Sequence, residues 1–225
     1  MKTIFVKRND VYCEQFRLKT EILLDKDRKY VVKKPLSPAA KEHILNMYYG
    51  IDKLNLYYTN LEVCKGMLKE NELWFDFIEG EPLTKKFIEA RQKGKASDFF
   101  YWLDYYIKLI QGNHKNQCRF YYTEDFIDYF GNVLGLEETP ALKFTPFDIT
   151  SNNIIIRENN VPVLIDYEWC LDFPMPKDFV IYRCIINLYK LHPDFEQFVT
   201  FDKVVDYLNF DINKDLLKKT LGLFL

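Results

Sequence analysis

Apolar and polar positions follow two rhythms along this chain, and the change falls near residue 83. Before it, short runs with strand character dominate: residues 3–8 (TIFVKR), 16–24 (FRLKTEILL) with rough alternation, and 28–34 (RKYVVKK), rich in β-branched residues. Three such runs at this spacing predict an antiparallel sheet. Alternation along the third puts Val31 and Lys33 on one face, Val32 and Lys34 on the other. Ser37-Pro38 then reads as a helix start, with Ser37 as the cap and the helix running through AAKEHILNMYY. Residues 72–83, ELWFDFIEGEPL, read as a strand that ends in a turn at Gly80.

After residue 83, three- and four-residue steps take over. Residues 83–93 form a short amphipathic stretch. Ser97 is the predicted cap of a helix carrying Phe99, Phe100, Leu103, Tyr106, Ile107 and Ile110, with Gly112-Asn113 as its end. Such a stripe predicts core packing rather than a ligand platform. Thr123 is the candidate cap for a helix in TEDFIDYFGNVLG. Asp178 begins another, and helical patterns continue through IYRCIINLYKL, FDKVVDYLNF and DLLKKTLGLFL.

One stretch, residues 143–169, breaks that rhythm. Two apolar runs, 153–157 and 161–165, flank Glu158-Asn159-Asn160 and predict a β-hairpin. Asp148 precedes the first strand, Asn153 opens it, and Asp166 ends the second. A hairpin brings these three to one end. A carboxylate, a carboxamide and a second carboxylate are oxygen ligands that suit Mg²⁺, with one acid left to take a proton. Alternation places Glu168 on the same side as Asp166, as a ligand for a second metal or its water. Carboxylates this close need a cation or a proton between them.

Composition narrows the class. With 225 residues, 48% hydrophobic and 28% charged, the chain can bury a sizeable core and does not read as disordered. A net charge of -2 gives no reason to expect a nucleic-acid partner. No apolar run approaches the roughly 20 residues that span a bilayer, and the first ten residues have too short an apolar core for a signal peptide. The expected location is therefore cytoplasmic. The five cysteines include no C-x-x-C pair, and the three histidines lack ligand spacing.

The run Asp148-Ile-Thr-Ser-Asn-Asn153, then Ile165-Asp166-Tyr167-Glu168, resembles the catalytic and metal loops of the protein-kinase-like fold. The closest pattern is that of aminoglycoside phosphotransferases and choline kinases. IDYEW followed by FPMPKDFVIYR also resembles kinase-like domains attached to bacterial surface-polysaccharide enzymes. The likeness is specific over residues 143–183 and looser over 28–83.

The resemblance implies an α+β, two-lobed fold. A small antiparallel β N-lobe would span 1–80 with a hinge at 75–80, and a mainly helical C-lobe with a catalytic β-hairpin would span 81–225. It implies ATP and Mg²⁺, with Asp148 as the base and Asn153 and Asp166 on the metal. Lys33, or Lys34 in its place, would hold the nucleotide phosphates, and Glu42 would pair with that lysine. Asp76, Phe77 and Ile78 would pass the adenine edge. Asp178, with Arg183 in a similar role, would support the catalytic-loop backbone.

Two departures stand out: no glycine precedes Gly50, so no glycine-rich loop covers phosphates, and Pro146 stands where most of the family has histidine. The implied activity is phosphoryl transfer to a hydroxyl, of a sugar or surface polysaccharide. The alternative is a pseudokinase or binding module that scaffolds a polysaccharide-biosynthesis complex. A glycosyltransferase or methyltransferase is the implied partner. The terminal LGLFL either docks on the second lobe or marks a cut from a longer chain.

Overall fold

A computed structural model describes residues 1–10 and 12–222. The last three residues of LGLFL lie outside the described residues. The chain opens with β1 (Lys2–Arg8), β2 (Leu18–Asp25) and β3 (Arg28–Pro35), followed by α1 (Lys41–Tyr57), β4 (Glu62–Val63), β5 (Gly66–Lys69) and β6 (Glu72–Asp76). Five of these strands make an antiparallel sheet in the order β1-β2-β3-β6-β5. Its central register sets Thr20 opposite Lys33 and Ile22 opposite Val31, so these four side chains share one face.

α1 packs against that same face, burying Ile44, Met47 and Leu54 in the same core as Leu18 and Leu73. It departs from expectation at both ends. Ser37 Oγ accepts from Ala40 N at 3.1 Å and closes a separate turn, so the helix starts only at Lys41. It then runs through Gly50 to Tyr57, because the inward stripe continues to Leu54 and outweighs one helix-weakening glycine.

β7 (Glu81–Pro82) follows Gly80, and then α2 (Thr84–Gln92) and α3 (Ala96–Gln111). Phe99, Leu103, Tyr106 and Ile110 of α3 are buried as a core stripe. Ser97 lies inside the first turn and is not a cap; Lys95 holds that position without a side-chain bond. Gly112, at φ +65°, ends the helix. β8 (Gln117–Arg119) leads to α4 (Glu124–Phe130), which Thr123 caps by accepting from Phe126 N at 3.1 Å. Gly131 stops α4, so residues 131–135 are not helical.

β9 (Pro140–Leu142), β10 (Thr145–Pro146), β11 (Ile154–Ile156), β12 (Pro162–Leu164), β13 (Cys170–Leu171) and β14 (Met175–Pro176) precede α5 (Lys177–Leu191), α6 (Phe201–Leu208) and α7 (Lys214–Gly222). β11 and β12 form the predicted hairpin, and strands from earlier in the chain extend it on both sides. β4 runs parallel to β12, and β7 antiparallel to β11. A five-stranded sheet with one helix, then a mainly helical part around a hairpin, is the two-lobed α+β layout expected from the resemblance. No described helix is long and apolar enough to cross a membrane.

Candidate active site

β3 carries Lys33 into the molecule. The residue is 3% exposed, and its ammonium lies 2.6 Å from Asp166 Oδ1 and 2.8 Å from Glu168 Oε2. Burial disfavours the charge, but the two carboxylates outweigh it and the pKa is raised. Lys34 belongs to the opposite face and pairs with Glu21 and Glu72.

Glu42 does not pair with Lys33. It is exposed on α1, while both carboxylates on the lysine come from the segment after β12. The reason lies in the helix phase: with Ile44, Met47 and Leu54 inward, His43 turns in and Glu42 turns out. His43 Nε2 stands 3.6 Å from Glu168 Oε1.

Glu168 lies on the same side as Asp166, as expected, and both carboxylates meet the Lys33 ammonium. Asp166 adopts φ +53° just past the strand, a left-handed conformation that Asp tolerates better than most residues. Asp166 remains exposed, whereas Glu168 is buried at 7%. Burial alone would raise the Glu168 carboxyl, but His43 and the Lys33 ammonium bring it down to about 2. Its carboxylate is engaged as a partner of Lys33.

Asp148 sits in a tightly bonded loop. Phe147 N donates to Trp169 O at 2.6 Å, and Thr150 N donates to Asp148 O at 2.6 Å. Tyr106 of the α3 stripe donates its hydroxyl to Ile149 O at 2.8 Å. Arg183 donates to Asp148 Oδ1 at 3.0 Å and to Phe147 O, and its guanidinium lies 3.8 Å above the Phe147 ring. Thus Arg183 supports this loop, and Asp178 does not. Asp178 Oδ2 accepts from Asp211 N and Ile212 N at 2.6 and 3.1 Å, which anchors the approach to α7. Burial raises the Asp148 pKa against the opposing pull of Arg183. Pro146, at the family's histidine position, is a buried strand residue opposite Cys170.

Asn153 donates its amide to Asp148 O at 2.8 Å, which leaves its carboxamide oxygen as the available ligand. Asp166 commits one oxygen to Lys33. Among the described residues, no group of three or more His, Cys, Asp or Glu could hold a metal ion. Magnesium does not require such a cage, since one or two protein oxygens plus phosphates and water complete its shell. Asp166 and Asn153 fit that requirement.

A cavity of about 330 Å³ lies between the sheet and the hairpin, with Ile22, Val31 and Ile155 as apolar walls and Lys33 and Asp166 among its lining residues. Asp76, Phe77 and Ile78 also line it. These three residues are not equivalent. Phe77 N already donates to Lys29 O at 3.1 Å, whereas Ile78 N has no backbone or side-chain acceptor among the described residues. Gly80 follows at φ +147°, where an added Cβ would lie 2.5 Å from Ile156 O.

The β1–β2 connection brings aromatics to the site. Tyr12 and Phe16 pack against Trp169, at 5.6 and 4.8 Å between centroids. The hydroxyl of Tyr12 is raised by burial and by the nearby charges of Asp148 and Glu168. Of the residues around the site, His43 and Tyr12 had no assigned role in the sequence reading. Helix phase alone identifies His43 as inward-facing, but nothing local in the sequence brings Tyr12 to Trp169.

No family model matches the sequence, and no curated protein matches it significantly. Among solved structures, the chain is similar to choline kinase LicA from Streptococcus pneumoniae (13% identity, covering 99% of this chain and 85% of that one, TM-score 0.47). It is also similar to a macrolide 2'-phosphotransferase type I (6%, covering 97% and 81%, TM-score 0.48). A third is a thermostable mutant of aminoglycoside phosphotransferase APH(4)-Ia in its apo form (12%, covering 99% and 94%, TM-score 0.46).

Proposed function

We propose that this chain is a small phosphotransferase that moves the γ-phosphate of ATP to a hydroxyl, with Mg²⁺. The observation that carries the reading is one cleft that runs from a hinge with a free N–H to a buried lysine between two carboxylates, beside a loop that holds Asp148. The apolar walls take the base, and Ile78 N–H bonds its edge. Lys33 holds the phosphates. Asp166 and Asn153 hold the metal, which when bound draws charge from the phosphates. Asp148 accepts or orients the proton of the acceptor hydroxyl. Phosphoryl transfer has a loose transition state, so orientation of Asp148 by Arg183 counts for more than strong basicity.

The acceptor in this reading is a sugar or surface-polysaccharide hydroxyl, on the strength of the sequence resemblance. A cytoplasmic location and a glycosyltransferase or methyltransferase partner belong to the same reading. One contact favours a second reading, a binding module: Arg183 already occupies Asp148 Oδ1.

ATP turnover with Mg²⁺ separates the two, measured for wild type and Asp148→Asn against sugars, lipid-linked glycans and polysaccharide. Acceptor-stimulated turnover that falls at least roughly a hundredfold in the variant supports the enzyme, this being the scale of a lost general base. ATP binding without turnover in either protein supports the module. No ATP binding in the wild type sinks both.

A further inference from the structure

We infer that His43 is a positioning residue that holds Glu168 against Lys33 and so keeps the lysine ammonium aimed at the nucleotide; this rests on the phosphotransferase reading above. His43 is 8% exposed, with its ring packed edge-on to Phe16 at 5.2 Å and tilted against Trp169 at 5.1 Å. Its Nε2 faces Glu168 Oε1 at 3.6 Å, and both atoms are buried without any hydrogen-bond partner. Buried polar atoms left unpaired are costly, so two that face each other mark a contact built to close. A carboxylate oxygen can only accept, which makes Nε2 the donor. A shift of about half an ångström brings the pair into hydrogen-bond range.

The need for this contact follows from how Lys33 is shared. It lies between Asp166 and Glu168. Once a metal and phosphates engage Asp166, the lysine depends on Glu168 for its place, and Glu168 has His43 behind it. The chain from α1 to Glu168 to Lys33 does what a direct pair from Glu42 was expected to do.

Two variants of similar volume separate the hydrogen bond from packing: His43→Leu removes the donor, and His43→Gln places an amide near the Nε2 position. Steady-state kinetics with ATP are measured for both, alone and with Glu168→Gln. We expect kcat/KM for ATP to fall about tenfold in His43→Leu, the scale of one hydrogen bond to a charged group. The loss should sit mainly in KM. His43→Gln should stay within about threefold of wild type, and His43→Leu should add little once Glu168→Gln is present, as residues in one network do. Equal loss in both single variants would reduce His43 to packing and overturn the inference while turnover stands. No loss in either does the same. If His43→Leu does not fold, His43→Asn, whose amide stops short of Glu168, serves as the donor-less variant. If the wild type neither binds nor turns over ATP, the phosphotransferase reading fails and this inference fails with it.

Discussion

Lys33 is a buried cation flanked by two carboxylates, and the balance of charge around it sets how the protein responds to acid. Glu168 is the informative member. Its carboxyl falls from an ordinary 4.5 to about 2 in the folded chain. Folding therefore favours its ionised form, and this stabilisation is complete above pH 4.5 and drains away as the pH falls toward 2. Asp148 acts in the opposite sense. Its pKa is raised by burial, so its protonated form is favoured by folding and stability is lost as the pH rises through its titration. Urea melts at a series of pH values from 5 to about 2 should show a steeper loss of stability for wild type than for Glu168→Gln. Equal slopes would mean that the carboxyl is not held by Lys33 and His43. At this scale the sequence was legible where alternation is strict. β3 separates Lys33 from Lys34 by face, as expected. What was not legible at Glu168 was its partner, because the contact with Lys33 joins residues far apart in sequence.

The elements depend on a few backbone positions where only glycine serves. Gly80 combines φ +147° with a Cβ position 2.5 Å from Ile156 O and 2.7 Å from Ile155 Cγ2. It lets the chain pass close against β11 on its way from β6 to β7. Gly80→Ala should destabilise the protein by about 1–3 kcal/mol, from strained backbone and forced separation of β7 from β11. Denaturant melts measure this directly, and an unchanged midpoint would show that the junction tolerates a side chain. Helix limits were the least legible feature of the sequence. Thr123 and Gly112 act locally and were readable as a cap and a stop. The C-terminal end of α1 was not readable, because the burial of Leu54 carries the helix beyond the expected AAKEHILNMYY. Ser37 misled for a different reason: its hydroxyl bonds Ala40 N to make a turn of its own. β4 and β7 are two residues each, and no periodicity exists at that length. They become strands only because the hairpin edges offer them partners.

At the scale of the molecule, the cleft joins two structural parts, and a ligand that bridges them stabilises the folded state by mass action. ATP with Mg²⁺ at a hundred times its Kd would add about 2.7 kcal/mol. For a chain of this size that is a rise in Tm of roughly 5–10 °C. ATP without Mg²⁺ should give a smaller rise, and Lys33→Ala should abolish most of it. A rise that persists in full in Lys33→Ala would place the nucleotide outside this cleft. The two-lobed layout was legible early, since strand runs before residue 83 and helical stripes after it need no tertiary information. The closing of the β1–β2 connection over Trp169 was not, since that contact joins residues far apart in sequence.

The parallel pairing of β4 with β12 sets an order of events during synthesis. Glu62 lies beside Val163, so β4 waits for about a hundred further residues before its partner exists. At ordinary elongation rates that interval is roughly 5–20 seconds. Through that time the nascent sheet lacks its border, and the walls of the cleft stay open to solvent until the hairpin emerges. Parallel pairs over such separations form slowly even in a free chain. The hairpin that carries the candidate active site is therefore also the last seal on a sheet made well before it.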